Sequence, residues 1–119
     1  MAIQSFKELE VWKRSMELAK HVYRLTKKFP KTEQYGLSSQ MQRAAVSIPS
    51  NIAEGYKRRG RRDYVRFLKM SDGSAAELET QLLLAKDVYP DIQYAEALSL
   101  LDEVQRMLTV LIRRLSSEN

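Results

Sequence analysis

The chain has 119 residues, of which 44% are hydrophobic and 29% charged, the size and make-up of one globular domain with a core of its own. It contains no cysteine, which excludes disulfides, thiol nucleophiles and thiolate metal sites, and the longest apolar run, Leu82 to Ala85, is far too short to span a bilayer. The net charge of +5 is unevenly spread: residues 1–62 carry 14 Lys and Arg against 5 Asp and Glu, and residues 63–119 carry 6 against 10. Such asymmetry serves either an acidic partner such as nucleic acid, or complementary contacts between the two halves or between subunits. Met1 to Phe6 show no basic stretch leading into an apolar one, so no signal peptide is expected, and a cytoplasmic protein of a prokaryote is the simplest expectation.

Glycine and proline divide the chain into four helical segments. The first is predicted over about residues 7–28. Ser5 and Glu8 have capping-box spacing. Leu9, Trp12, Met16, Ala19, Tyr23 and Thr26 step by three and four along one face, and Val11, Leu18, Val22 and Leu25 along a second. Pro30 ends the segment by disfavouring α geometry at Phe29. The second helix is predicted over about 38–58, with small apolar positions at Leu37, Met41, Ala44, Ala45, Ile48, Ile52 and Ala53. Pro49 inside it crowds the carbonyl of Ala45, which predicts a kink without a break. The third is predicted over about 61–89, with its stripe at Tyr64, Phe67, Leu68, Ser71, Ala75, Leu78, Leu82 and Ala85. Gly73 costs about 1 kcal/mol there relative to alanine, and close helix approach is its expected use. The fourth is predicted over about 91–116, where Pro90-Asp91 supplies the stop and the next cap, and Arg113 and Arg114 suit the negative end of the helix dipole.

No strand-like alternation interrupts this pattern, and the connections are short. The expected fold is an all-α, antiparallel up-down-up-down four-helix bundle spanning residues 1–119 as one domain. The first and fourth helices carry more apolar surface than a single bundle face needs, which points to a second surface for another subunit.

Several runs resemble the four-helix-bundle proteins encoded within 23S rRNA intervening sequences, the S23 or 23S rRNA-associated family. They are Phe6-Lys7-Glu8-Leu9-Glu10-Val11-Trp12, Phe29-Pro30 with Glu33, Tyr35-Gly36-Leu37 with Gln40, Ser47-Ile48-Pro49-Ser50-Asn51-Ile52-Ala53-Glu54-Gly55, Phe67-Leu68, and Gly73-Ser74-Ala75-Ala76-Glu77-Leu78-Glu79-Thr80-Gln81-Leu82. The resemblance covers roughly residues 6–85, and the fourth helix matches in character alone. It implies a bundle that assembles as a ring-like homopentamer, and an association with ribosomal RNA that rests on where the family's genes lie. A related bundle family serves as an accessory factor for reverse transcriptases, which implies a scaffold role as the alternative. Gly60 departs from the family, whose members often place a serine or threonine cap there.

Two constellations are candidate sites. The basic run Lys57, Arg58, Arg59, Arg61 and Arg62 lies between the second and third helices, where arginine forks suit phosphate oxygens and Tyr56 and Tyr64 could stack on unpaired bases. The alternative is a solvated loop that neutralises a helix C-terminus. Lys13, Arg14, Lys20 and Arg43 are candidates to extend the patch. Ser47, Asn51 and Glu54 share one helix face, and Ser74, Glu77 and Gln81 share another. These six are expected to form a buried polar network that fixes register, with a paired-carboxylate site at Glu54 and Glu77 as the functional alternative.

Cofactor and metal chemistry finds no support in the sequence. A ferritin-like site needs Glu-x-x-His pairs, whereas the single histidine, His21, follows Glu17 by four. Gly-x-Gly and Walker patterns are absent, and no base is placed beside a serine. The expectation is a protein that is not an enzyme, with no cofactor, no small-molecule substrate and no membrane contact. Its partners would be copies of itself and, through the loop, ribosomal or other structured RNA.

Overall fold

The computed structural model describes residues 4–117 and consists of four α-helices, α1 (Glu10–Thr26), α2 (Leu37–Lys57), α3 (Arg61–Val88) and α4 (Ala95–Ser116), with short 3-10 turns at Phe6–Glu8 and Lys31–Glu33. Among the described residues there is no strand. Each helix packs on its neighbours in chain order, and α4 closes back on α1.

Side-chain pairs show that the neighbours run antiparallel, since the number rises along one helix as it falls along the other. Gly55 faces Phe67, the Ile48 carbonyl accepts from Ser71 Oγ at 2.9 Å, and Ser47 meets Ser74 at 2.8 Å. Gln105 donates to Glu79 at 3.0 Å and Tyr94 to the Ala85 carbonyl at 3.1 Å. Arg14 lies 2.8 Å from Glu103, and His21 lies 4.0 Å from Glu96. The result is an up-down-up-down bundle of 47 × 23 × 20 Å.

The core is formed by one stripe from each helix. Leu18, Met41, Ile48, Ile52, Leu68, Leu78, Leu82, Leu101 and Leu108 are fully buried. Each such side chain contributes about 1.5–3 kcal/mol by leaving water. On α1 the core face is the one marked by Val11, Leu18, Val22 and Leu25. The other predicted face, with Trp12 and Met16, is half-buried, and Tyr23 is 44% exposed.

Three local expectations are corrected. The Ser5–Glu8 cap closes a 3-10 turn instead of starting α1: Ser5 Oγ accepts from the Lys7 N–H, Glu8 accepts from the Gln4 N–H, and extended backbone at Leu9 precedes the helix. The fourth helix starts at residue 95, because Tyr94 folds back and donates to both the Tyr89 and Ala85 carbonyls, holding residues 89–94 as a turn. At Pro49, by contrast, α2 continues without a break, as its spacing predicts. Gly73 does not mediate close approach, since a Cβ there would meet nothing within 4 Å. That role belongs to Gly55, where a Cβ would sit 2.7 Å from Phe67 Cβ and 3.2 Å from a Tyr64 ring carbon.

Candidate nucleic-acid interface

The close approach at Gly55 is what shapes the basic end of the molecule. It brings α2 and α3 together where they join, so the connection is only residues 58–60. Arg58 caps α2, pairs with Glu54 at 2.9 Å, and lays its guanidinium 4.8 Å from the Phe67 ring centre. Arg66 covers the same ring at 4.7 Å and lies 3.6 Å from Asp63. Both arginines therefore lie within cation–π reach of the Phe67 ring, an attraction that favours these positions. Lys57, Arg58, Arg59, Arg61 and Arg62 are all exposed.

Tyr56 and Tyr64 also lie here. Their rings meet edge to face at 6.1 Å and 90°, and Tyr64 leans against Gly55. Burial, and then Tyr56, raise the Tyr64 hydroxyl above the usual phenol range.

Because α4 runs antiparallel to α3, its C-terminus returns to the same end. Arg61, Arg62, Arg66 and Lys69 of α3, with Val65 and Met70, line an open groove together with Leu115 and Ser116 of α4. The sequence gives Arg113 and Arg114 only a dipole role. Their nearness to the basic loop becomes visible once helix count and direction are fixed. The proposed extensions of the patch go elsewhere. Arg14 is held by Glu17 and Glu103, and Lys20 rims a groove between α1 and α2. Arg43 lines a shallow pocket with Gln40, Ser47 and Glu77.

The polar network forms in part. Ser47 and Ser74 hydroxyls bond across α2 and α3, and Asn51 donates to both Oγ and O of Ser47 at 2.9 Å. Ser71, which the sequence places on the core stripe without a role, extends it by donating to Ile48 O. Glu54 and Glu77 are corrected as members: both are exposed, one paired with Arg58 and the other beside the Arg43 pocket, about ten residues away in register. They do not form a carboxylate pair. Gln81 is buried, and its Oε1 has no hydrogen-bond partner. Among the described residues no group of three His, Asp or Glu could hold a metal ion. No helix there is long and apolar enough to cross a membrane.

Two apolar grooves flank α1. One, between α1 and α2, is lined by Trp12, Met16, Tyr23, Val46, Pro49 and Ala53. The other, toward α4, is lined by Leu9, Met107, Val110 and Leu111. The first and fourth helices do contribute to these grooves, but the large hydrophobics left exposed are concentrated on α3, at Met70, Leu83, Leu84 and Val88, with Tyr23 on α1 and Val110 on α4.

These features define an antiparallel four-helix bundle with a basic end and apolar flanks. The family model of the 23S rRNA-intervening sequence protein matches residues 7–110, and the chain belongs to that family. It is similar to a solved structure of a protein of unknown function from the S23 ribosomal protein family of Bacteroides thetaiotaomicron. The two are 23% identical over 86% of this chain and 97% of the other, with a TM-score of 0.76, so the likeness is one of fold. No curated protein matches the chain.

Proposed function

We propose that this protein is a non-enzymatic homo-oligomer that contacts structured RNA, ribosomal RNA in the first instance, through the α2–α3 loop. The observation that carries the proposal is the set of exposed cations on and beside a short, anchored loop: Arg58 is held by Glu54 and Phe67, and Lys57, Arg59, Arg61 and Arg62 are exposed around it. Anchoring lowers the entropy cost of aligning several cations with phosphates. Assembly would use the apolar grooves beside α1, and a ring of five is the form the family resemblance implies. A ring would repeat the loop around one rim and multiply a weak contact. The non-enzymatic assignment draws support from the separation of Glu54 and Glu77.

RNA affinity should fall steeply with added salt. Replacing Arg58, Arg59, Arg61 and Arg62 together by Ala should weaken binding while the far-ultraviolet circular dichroism stays helical. A quadruple variant that binds as tightly as the parent refutes the loop assignment. Light scattering reads the subunit number directly, and a stable single-copy species at micromolar concentration refutes assembly.

A second reading, a scaffold for a protein partner without RNA contact, is favoured by one observation, the apolar groove at Trp12, Met16 and Pro49. Recovery of a partner from native lysate that resists nuclease supports the scaffold. Loss of the partner with nuclease supports RNA.

A further inference from the structure

We infer that copies of this chain dock head to tail, the outer face of the last turns of α3 on one copy meeting the groove between α1 and α2 on the next. The inference rests on the assembly reading and names the two faces that meet. Among the described residues eight large hydrophobic side chains are left exposed. Two of them, Tyr23 and Val46, line the α1–α2 groove beside Trp12 and Met16. Three more, Leu83, Leu84 and Val88, are each about half exposed on the last turns of α3. Two patches thus hold five of the eight, and exposed apolar side chains gathered in this way mark an interface, whereas single scattered ones do not.

The two patches carry opposite charge. The charged residues that line the groove are Lys20 and Arg24, and no carboxylate lines it. Lys13 and Lys27 continue their row: the four stand at i, i+7, i+11 and i+14, within about 60° of one another around α1, and all are exposed. The α3 patch holds carboxylates instead. Asp87 stands four residues after Leu83 and three after Leu84, so it lies between them on the outer face, and Glu77 lies in line with Leu84 two turns back. Between residues 77 and 88 the charged residues are Glu77, Glu79, Lys86 and Asp87. A two-fold contact would lay either patch on itself, cations on cations or carboxylates on carboxylates. Opposite charges meet only when unlike faces join, and such a contact repeats from copy to copy until it closes as a ring or runs on as a filament. The groove belongs to residues 1–62 and the α3 patch to residues 63–119, so the uneven charge of the chain becomes complementary between copies.

The test is light scattering on nuclease-treated protein, with each face spoiled separately. Val46→Asp puts a carboxylate in the groove, against those of the α3 patch. Leu84→Asp with Val88→Asp puts two in place of the apolar side chains of the patch. All three positions are exposed, so circular dichroism should show the bundle intact. The parent should assemble, and each variant alone should fall to the 13.8 kDa of one chain. An equimolar mixture of the two variants should give twice that mass and no more, because one intact groove and one intact patch remain in each pair. Either variant assembling as the parent does, or a mixture that stays at one chain or grows past two, overturns the inference while assembly through other surfaces stands. A parent that is itself a single chain at micromolar concentration overturns both.

Discussion

Adding one methyl group at Gly55 tests how the basic end is built. The added Cβ would meet Phe67 Cβ at 2.7 Å, Tyr64 Cδ1 at 3.2 Å and Tyr64 O at 3.3 Å. Ordinary carbon contacts lie at about 3.5–4.0 Å, so the first overlap is about 1 Å. The Phe67 Cβ cannot rotate away, because it is attached to the α3 backbone. Relief requires the helices to part, which costs about 1–3 kcal/mol for a tight site. Alanine's better helix propensity returns up to about 1 kcal/mol. With backbone-fixed atoms on the other side the strain belongs at the upper end, and Gly55→Ala should lose about 2 kcal/mol. For a chain of this length that lowers the melting temperature by roughly 8 °C. The matched control is Gly73→Ala, where the new methyl meets nothing and should gain about 1 kcal/mol. Urea unfolding followed by circular dichroism, at one protein concentration for all three proteins, gives both differences. A Gly55→Ala protein at or above the parent's midpoint would refute the packing account.

Other expectations follow from single contacts. Tyr94→Phe removes the donor to two carbonyls of the α3–α4 turn and should cost about 1–2 kcal/mol in the same unfolding assay. Gln81→Met replaces a buried amide whose Oε1 is unpartnered, and should be neutral or stabilising by about 1 kcal/mol. Glu33 accepts from the Tyr89 hydroxyl at 2.5 Å and caps the Leu37 N–H, and these bonds hold its carboxyl below the usual glutamate range. A lowered folded value means stability that is present above the usual glutamate range and lost as pH falls through the folded one. The same bond raises the Tyr89 hydroxyl, so its share is present at neutral pH and lost as pH rises past the folded value. Tyr89→Phe should flatten both limbs of a stability–pH curve, and an unchanged acid limb would show that the bond contributes nothing there.

Much of the fold is legible because the punctuation is local. Gly36, Gly60 and Pro90 bracket α2 and α3, whose ends fall within a residue of the positions they predict. The errors at the starts of α1 and α4 have a common cause. Ser5 does close a turn, and the Tyr94 hydroxyl holds the turn that follows Tyr89, but sequence spacing does not say that either turn stays outside the helix. Gly73 faces outward for a reason the sequence carries. It lies two residues from both Ser71 and Ala75, about 200° around the helix from each, so a core stripe through those two puts it in water. Ser47, Asn51 and Ser74 were found by shared facing, while Glu54 and Glu77 fail because facing alone ignores height along the bundle axis. The α3–α4 groove was not legible, since it joins residues more than forty positions apart through a topology fixed only by the packed structure.

The uneven charge of the two halves can now be weighed against geometry. If the basic half served mainly to hold the acidic half, its cations would be spent on α3 and α4 carboxylates. Among the described residues Arg14–Glu103, at 2.8 Å, makes such a contact, with His21 at 4.0 Å from Glu96 as its weaker counterpart. Lys13 and Arg58 pair instead within their own helices, with Glu10 and Glu54. Exposed pairs of this kind contribute little to stability, about 0–1 kcal/mol each, so internal complementarity is a weak reason to maintain the asymmetry. The geometry supplies a different use for it. Antiparallel order places the α2–α3 connection beside the α4 terminus, so the cations at 57–62 and those at 66, 69, 113 and 114 gather at one end. Like charges gathered on one surface repel, and an anion that bridges them relieves the repulsion. Arg58 and Arg66 also pair and pack within this end, and the exposure of the cations gathered there is the ground on which the RNA proposal rests.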